Sequence, residues 1–126
     1  GGVLERHPSL RVAFLESGLG WLEYWLDRLD GHFDSMGHHV PWLKRKPSEL
    51  FREQCYISIE SAEAHMLPRL KEMGVDHCVF WGADYPHYAC TYPGAVEELE
   101  ENLAPLDPAL ADGVRWRTAE RFLGLA

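Results

Sequence analysis

Three short apolar runs in the chain are typical of buried strands. The run RVAFLES, residues 11–17, is nearly continuous and ends at Gly18 and Gly20, which is typical of a strand buried on both faces in a parallel sheet. The run CYISIE, residues 55–60, alternates apolar and polar positions and carries β-branched residues, and HCVFWG, residues 77–82, is again apolar. Together they predict three strands.

Helical spacing follows each predicted strand. Between residues 21 and 33, apolar residues recur every three or four positions with charged residues between them, which predicts an amphipathic helix. A short helix is expected to begin near Pro47, because proline suits a first helical turn. Residues 61–74 predict a further helix that Ser61 caps and Pro68 bends or divides.

The last part of the chain completes the predicted architecture. Residues 92–102 and 107–123 predict two helices, the second opening with Asp-Pro. Strands and helices then alternate, which favours right-handed crossovers between parallel strands. The predicted fold class is α/β: a partial (β/α)8 TIM barrel of about three βα units, in a single segment over residues 1–126.

Two open edges on a purely parallel sheet are a poor end point for a folded chain, because unpaired backbone groups invite further pairing. We therefore expect that an upstream barrel half completes the sheet, or that chains associate as a homo-oligomer. The chain also begins with Gly-Gly rather than methionine, which indicates a segment of a longer protein.

Composition narrows the function classes. The 126 residues are 46% hydrophobic, enough for one packed domain. The net charge is −8, from 20 acidic and 12 basic residues spread along the chain, which argues against nucleic acid or an anionic membrane as a partner. No apolar run approaches the roughly 18 residues of a membrane span, and no signal-peptide pattern is present, so the cytoplasm is the expected compartment.

The cysteines do not indicate a disulfide framework or a thiolate zinc site. Cys55, Cys78 and Cys90 are odd in number and lack CxxC spacing. We expect buried free thiols.

Acids end all three predicted strands. Glu16, Glu60 and Asp84 occupy these positions, and in parallel α/β architectures the carboxyl ends of the strands gather ligands and catalytic groups. Such a carboxylate can ligate a divalent metal or move a proton to or from a substrate. It can equally cap backbone N–H groups in its loop, and an acid such as Glu60 can simply favour a helix start.

Histidines and glycines offer weaker signals. His87 follows Asp84 by three residues. Its side chain either points into the mouth of the barrel, at the same strand end as Asp84, or lies on the surface. His38 and His39 are adjacent in a loop without metal-ligand spacing, so we do not expect them to bind a metal. A phosphate site at ESGLGW is a weak alternative, because the third glycine is missing and the preceding acid would repel phosphate.

Three stretches of the chain resemble a known family. GVLERHPSLRVAFLESGLGWLEYWLDRLDGHF, LKRKPSELFREQCYISIE and CVFWGADYPH resemble the C-terminal part of the amidohydrolase-related proteins. That branch contains aminocarboxymuconate-semialdehyde decarboxylase and related metal-dependent hydrolases and decarboxylases. The resemblance covers essentially the whole chain, and WGADYPH is similar to the family's strand-eight G-[ST]-D-Y-P ending.

The resemblance implies roles for several residues. Asp84 corresponds to the aspartate that binds the single catalytic metal, zinc or manganese, and handles protons. Glu16 stands where decarboxylase relatives have a histidine, so we expect a general base, a pocket acid that selects a cationic or hydroxylated substrate, or a cap below Gly18. Tyr85 and His87 are expected to bind the small-molecule substrate.

The family's other metal ligands precede this segment, so the resemblance implies a divalent metal in the complete enzyme and none held tightly by this chain alone. The expected function is therefore part of a metal-dependent hydrolase or decarboxylase of a small carboxylate, inactive as the isolated chain. The alternative is a non-catalytic half-barrel that self-associates through its open sheet edges.

Overall fold

Three parallel strands form one sheet in the computed structural model, which describes residues 1–125. The strands are β1 (Val12–Phe14), β2 (Cys55–Ile59) and β3 (Val79–Trp81), in the order β1-β2-β3. Ile57 at the centre of β2 is aligned with Phe14 on one side and Val79 on the other. The predicted parallel α/β sheet is confirmed, although each strand is shorter than the apolar run that predicted it.

Helices connect the strands on the pattern expected of βα units. The α-helices within residues 1–125 are α1 (Val3–Arg6), α2 (Leu22–Met36), α3 (Pro47–Gln54), α4 (Ala95–Leu103), α5 (Pro108–Asp112) and α6 (Thr118–Leu123). Two 3-10 segments lie at Gly37–His39 and Ser61–Arg69, and a π-helical segment, Gly113–Arg117, joins α5 to α6.

Local chemistry explains where α3 and α5 begin. Pro47 occupies the first turn of α3, as predicted, and the Glu49 carboxylate accepts a 3.0 Å hydrogen bond from the Lys46 backbone N–H. Asp107 precedes α5 and accepts a 3.1 Å hydrogen bond from the Leu110 N–H, which satisfies a free donor of the first turn. The π-helical segment then interrupts the single helix that the sequence predicts at 107–123.

The segment after β2 differs from its prediction. A 3-10 helix, Ser61–Arg69, replaces the expected α-helix at 61–74, and Pro68 lies inside it. Proline has no N–H to donate to the fourth preceding carbonyl, which disfavours a continuous α-helix here. The prediction that Ser61 caps this helix is wrong, because Glu60 is the residue before the first turn and no side chain caps it.

Most of the core lies between one face of the sheet and the helices. Side chains alternate along a strand, so Cys55, Ile57 and Ile59 share the helix-covered face and are all buried. Fully buried partners from the surrounding elements are Leu19, Leu22, Leu70, Val75, Val79 and Val114. Burial of β2 between two neighbours makes it the centre of the fold.

The opposite face of the sheet is covered at one end by α6. The Phe122 ring lies 5.2 Å from the Tyr56 ring and 6.1 Å from the Phe80 ring. Arg121 donates a 2.9 Å hydrogen bond to the His77 carbonyl just before β3, so α6 sits at the amino ends of the strands.

Strand β1 is an edge strand, and the prediction that it is buried on both faces is wrong. Phe14 is 37% exposed and Leu15 is 61% exposed, because the sheet ends at β1 within the described residues. An apolar groove of about 650 Å3 lies beside this edge. Its aromatic lining residues are Phe14, Trp21, Trp25, Phe33 and Phe51.

None of the helices within residues 1–125 has the length and apolar character required to cross a membrane.

Candidate active site

Glu16 and Asp84 meet at the carboxyl end of the sheet. Glu16 follows β1 and Asp84 follows β3, and across the end of the central strand Asp84 is near enough to Glu16 to raise the pKa of its carboxyl group. The structure thus brings together two of the three acids that the sequence places at strand ends. A pair of carboxyl groups in contact can hold one proton between two oxygens.

Both acids have a left-handed backbone conformation. The φ angle is 52° at Glu16 and 56° at Asp84, and these are the positive-φ residues other than glycine within the described chain. An L-residue adopts this conformation at a cost in conformational free energy, and such residues cluster at functional sites. Ser58 helps to hold the first of them, since its Oγ accepts a 3.2 Å hydrogen bond from the Glu16 N–H.

The surroundings of Glu16 change its acidity. The hydrogen bond to Asp84 and the negative charge of Asp84 raise the pKa of Glu16, and partial desolvation and the charge of Glu60 act in the same direction. The nearby His87 opposes this shift. The pKa of Glu16 therefore lies above the usual value for a glutamate.

His87 lies against Asp84. Its Nδ1 is 3.1 Å from Asp84 Oδ2, and its backbone N–H donates a 2.8 Å hydrogen bond to the Asp84 carbonyl, which closes the turn. The His87 side chain remains 53% exposed, so solvent can reach it. His87 thus lies beside Asp84 and on the surface at once, and its expected role in binding substrate stays a prediction.

Tyr85 lies apart from this contact. It is 63% exposed, and its ring centroid is 4.8 Å from that of Tyr92. Its expected role in binding substrate stays a prediction.

A small cavity of about 320 Å3 opens beside Asp84. Glu60, Trp81, Cys90 and Glu98 are among its other lining residues. Glu98 Oε2 is buried and has no hydrogen-bond partner within residues 1–125. The sequence does not single out Glu98, because this residue stands in the acidic helical run VEELEEN and has no local sign of a pocket position.

Glu63 is the second residue that the sequence does not single out. Its carboxylate accepts hydrogen bonds from the backbone N–H groups of Leu19 and Gly20, at 2.8 Å and 3.0 Å. These are the N–H groups that the weak phosphate-site alternative would use, and an internal carboxylate already binds them. The Gly-x-Gly sequence before a helix indicates backbone N–H groups that can bind an anion. It does not indicate whether that anion is a phosphate or a carboxylate of the same chain.

The described residues do not complete a metal site by themselves. Within residues 1–125, no group of three or more His, Cys, Asp or Glu side chains has an arrangement that could hold an ion. Any metal bound at Asp84 would require ligands from outside these residues.

The thiols are outside the site, except Cys90. Cys55 and Cys78 are buried, as predicted, and burial raises their pKa values to about 11 and about 12. Cys90 is half-buried rather than fully buried, because it lies in the loop after β3 and lines the cavity beside Asp84.

Comparison with protein families gives a match along nearly the whole chain. The model of a family described as amidohydrolase matches residues 1–125. No curated protein sequence matches the chain significantly.

Solved structures share the fold. An amidohydrolase from Mycobacterium avium subsp. paratuberculosis K-10 has a TM-score of 0.83 at 21% identity, covering 98% of this chain and 30% of that one. The 5-carboxyvanillate decarboxylase LigW from Sphingomonas paucimobilis has a TM-score of 0.75 at 27% identity, covering 96% of this chain and 36% of that one. These matches confirm the predicted partial barrel.

A third structure is a dihydroxybenzoic acid decarboxylase from Polaromonas sp. JS666, with bound manganese and the inhibitor 2-nitroresorcinol. Its TM-score is 0.68 at 19% identity, and the match covers 98% of this chain and 36% of that one. The chain therefore spans about a third of the length of the structures it matches.

Proposed function

The chain belongs to the amidohydrolase family, and from that premise we propose that it is the C-terminal barrel segment of a metal-dependent enzyme acting on a small carboxylate substrate. The observation that carries the proposal is the placement of two acids with left-handed backbones, Glu16 after β1 and Asp84 after β3, at the carboxyl end of the sheet, with His87 3.1 Å from Asp84. Active sites of (β/α)8 barrels lie at this end, where strand-end side chains converge.

Decarboxylation is the reaction that we favour. LigW and the Polaromonas enzyme are named as decarboxylases of aromatic carboxylic acids, and LigW is 27% identical to this chain. In decarboxylation, the bond between the carboxyl carbon and its neighbour breaks, CO2 leaves, and the neighbouring carbon keeps the electron pair and takes a proton. Glu16 is the proposed proton donor, and Asp84 holds the proton in place at the Glu16 oxygen.

Hydrolysis is the alternative reaction for the same pair. There, Asp84 takes a proton from a water molecule as that water attacks a substrate carbonyl, the bond from the carbonyl carbon to the leaving group breaks, and Glu16 gives a proton to the leaving group. The glutamate at position 16, where decarboxylase relatives have a histidine, keeps this reaction open.

We propose that Asp84 is one ligand of a divalent metal, zinc or manganese, and that the other ligands come from the rest of the barrel. Such an ion supplies Lewis-acid polarisation of a substrate carboxylate or carbonyl when it is bound. His87, 3.1 Å from Asp84 Oδ2, orients that carboxylate and, with Tyr85, is proposed to bind the substrate. The isolated chain is then inactive.

The test uses a barrel-length protein that carries this segment, loaded with zinc or manganese and given a panel of aromatic and aliphatic carboxylates. We expect CO2 release from at least one of them. Glu16→Gln and Asp84→Asn should each lower kcat by about 100-fold or more, since 100-fold is the lower end of the range for a lost general acid or base, while the exposed control Glu101→Gln leaves it unchanged. A folded, metal-loaded protein without decarboxylase or hydrolase activity would overturn the proposal.

The second candidate function is a non-catalytic half-barrel that associates with itself. The observation in its favour is the apolar groove of about 650 Å3 beside the β1 edge, where Phe14 and Trp25 are partly exposed. Sedimentation equilibrium of the 126-residue chain tests it. A stable dimer that Phe14→Glu dissociates would support this function, whereas a monomer would rule it out.

A further inference from the structure

We propose that Glu63 is a positioning residue for the Glu16–Asp84 pair, because its carboxylate holds the turn between β1 and α2 in the conformation that turns Glu16 toward Asp84. Only the expected effect of Glu63 on catalysis rests on the proposed function. The effect of Glu63 on the position of Glu16 rests on contacts within the described chain.

The carboxylate of Glu63 is bound by backbone N–H groups of the turn. Leu19 N–H is 2.8 Å from both Oε1 and Oε2, and Gly20 N–H is 3.0 Å from Oε1. Both donors lie just before Trp21, the residue that precedes α2, so the carboxylate sits near the helix N-terminus, where negative charge is favoured. A carboxylate accepts such bonds at both oxygens, which a neutral side chain cannot match.

The turn fits closely around this carboxylate. Gly18 has φ +67°, and a Cβ at that position would lie 3.0 Å from Glu63 Oε1. That approach is tighter than ordinary van der Waals contact, so a larger residue would push the carboxylate out of the turn. The glycine therefore allows both the left-handed backbone and the close approach of Glu63.

A second hydrogen bond connects the chain after β1 to β2 and thus supports the same turn. Ser58 Oγ accepts the Glu16 N–H at 3.2 Å, and Ser58 is buried in β2. Glu63 lies in the 3-10 segment that directly follows β2. Since β2 lies between β1 and β3, the hydrogen bonds of Ser58 and Glu63 set the position of Glu16 relative to the strand that Asp84 follows.

Within residues 1–125, the Glu63 carboxylate is hydrogen-bonded to Leu19 and Gly20 and not to Asp84. Glu63 therefore acts on the Glu16–Asp84 pair through the turn between β1 and α2. Its effect must then appear at Glu16 as well as at Leu19 and Gly20. A residue that only stabilises the start of α2 would change the two amides it binds and leave Glu16 unaffected. This difference separates positioning from simple helix capping.

The first experiment is amide NMR of the 126-residue chain with Glu63→Gln, a nearly isosteric change that removes the charge and one acceptor oxygen. We expect the amide proton signals of Leu19 and Gly20 to move upfield and the Glu16 amide signal to shift with them. The matched control Glu72→Gln, at an exposed turn position, should leave all three signals in place. An unchanged Glu16 signal would overturn the proposal.

The second experiment measures kcat and KM of the barrel-length enzyme with the same variants. We expect Glu63→Gln to lower kcat by about tenfold with KM within about twofold, because a small misplacement of a catalytic group costs rate rather than binding. An unchanged kcat would overturn the positioning role. A wild-type protein without activity would overturn the proposed function, and the NMR result would still decide the placement of Glu16.

Glu63→Asp covers the case in which Glu63→Gln does not fold. It keeps the negative charge but withdraws the carboxylate by one methylene group, so its bonds to Leu19 and Gly20 weaken. We expect a shift of the Glu16 amide signal in the same direction as for Glu63→Gln. A wild-type Glu16 signal in folded Glu63→Asp, together with altered Leu19 and Gly20 signals, would overturn the proposal.

Discussion

Ser58 Oγ accepts the backbone N–H of Glu16 at 3.2 Å, so the buried central strand holds the residue that follows the edge strand. Neither side chain reveals this relationship locally, since Ser58 stands among the apolar residues of CYISIE. Its hydroxyl is nonetheless the acceptor that satisfies a backbone donor in a left-handed conformation.

Ser58→Ala should therefore disturb Glu16. We expect a loss of about 1 kcal/mol in the free energy of unfolding of the chain, the usual net value of a hydrogen bond with a buried partner. In the barrel-length enzyme, kcat should fall while KM changes little. Ser58→Thr, which keeps the hydroxyl, should restore most of the loss, and equal effects of Ala and Thr would argue for a packing defect instead.

The pH dependence of stability should show the raised pKa of Glu16. Because Asp84 raises the pKa of Glu16 in the folded chain, the folded state binds a proton more tightly than the unfolded state. This contribution to stability is complete below the unfolded pKa, near the ordinary glutamate value of 4.5, and is lost as the pH rises through the higher folded value.

Urea denaturation of the metal-free chain, at a series of pH values from 4 upward, measures this loss. Asp84→Asn removes the neighbouring charge, so the variant should lose less stability than the wild type over the same interval. An identical slope in both proteins would show that Asp84 does not set the pKa of Glu16.

The three thiols should differ in reactivity. Burial raises the pKa of Cys55 to about 11 and that of Cys78 to about 12, so neither forms much thiolate at pH 8. Cys90 is half-buried in a loop and should react with iodoacetamide first. Mass spectrometry of the labelled native chain should find one modified cysteine, and all three should react in denaturant. Early labelling of Cys55 or Cys78 would contradict the packing of the sheet.

Truncation at the centre of the sheet should be costly. Ile57 is fully buried between the neighbouring strands and the helices. Ile57→Ala should lower the free energy of unfolding by about 2 to 5 kcal/mol, and Ile57→Val by about 0.5 to 1.5 kcal/mol. Urea denaturation with a constant m-value measures both. A loss below about 1 kcal/mol for alanine would mean that β2 is not the centre of the core.

The 126-residue chain should hold little metal by itself. The described residues provide no group of three or more possible ligands, so an ion at Asp84 would remain mostly hydrated and weakly held. Mass spectrometry of chain purified without chelator should find well under one zinc or manganese per chain, with no further decrease in Asp84→Asn. Stoichiometric metal that disappears in Asp84→Asn would mean that associated chains supply the missing ligands.

Some of the site was predictable because it depends on topology. The carboxyl ends of parallel strands lie on one side of a sheet, so the order of strands and helices was enough to bring Glu16 and Asp84 into one region. The closeness of the two acids was not predictable, because it depends on the left-handed backbone that each acid adopts after its strand.

Other site features depend on partners distant in sequence. Glu63 is separated from Leu19 by 44 positions, and Glu98 lies on a helix whose pattern is that of a solvated face. An acidic residue near a helix start has the same local sequence pattern whether its side chain faces water or accepts hydrogen bonds from backbone N–H groups. Only the packing of the segment after β2 against the turn after β1 distinguishes the two.

The sequence by itself determined the α/β class, the three parallel strands, the amphipathic helix α2 and the family, because apolar periodicity and strand-end motifs are local properties of the chain. The tertiary structure decided which strand is central, which acids lie close together, and which carboxylate binds the turn before α2. Hydrogen bonds and burial between segments far apart in sequence depend on how the elements pack, and that packing is a property of the whole fold.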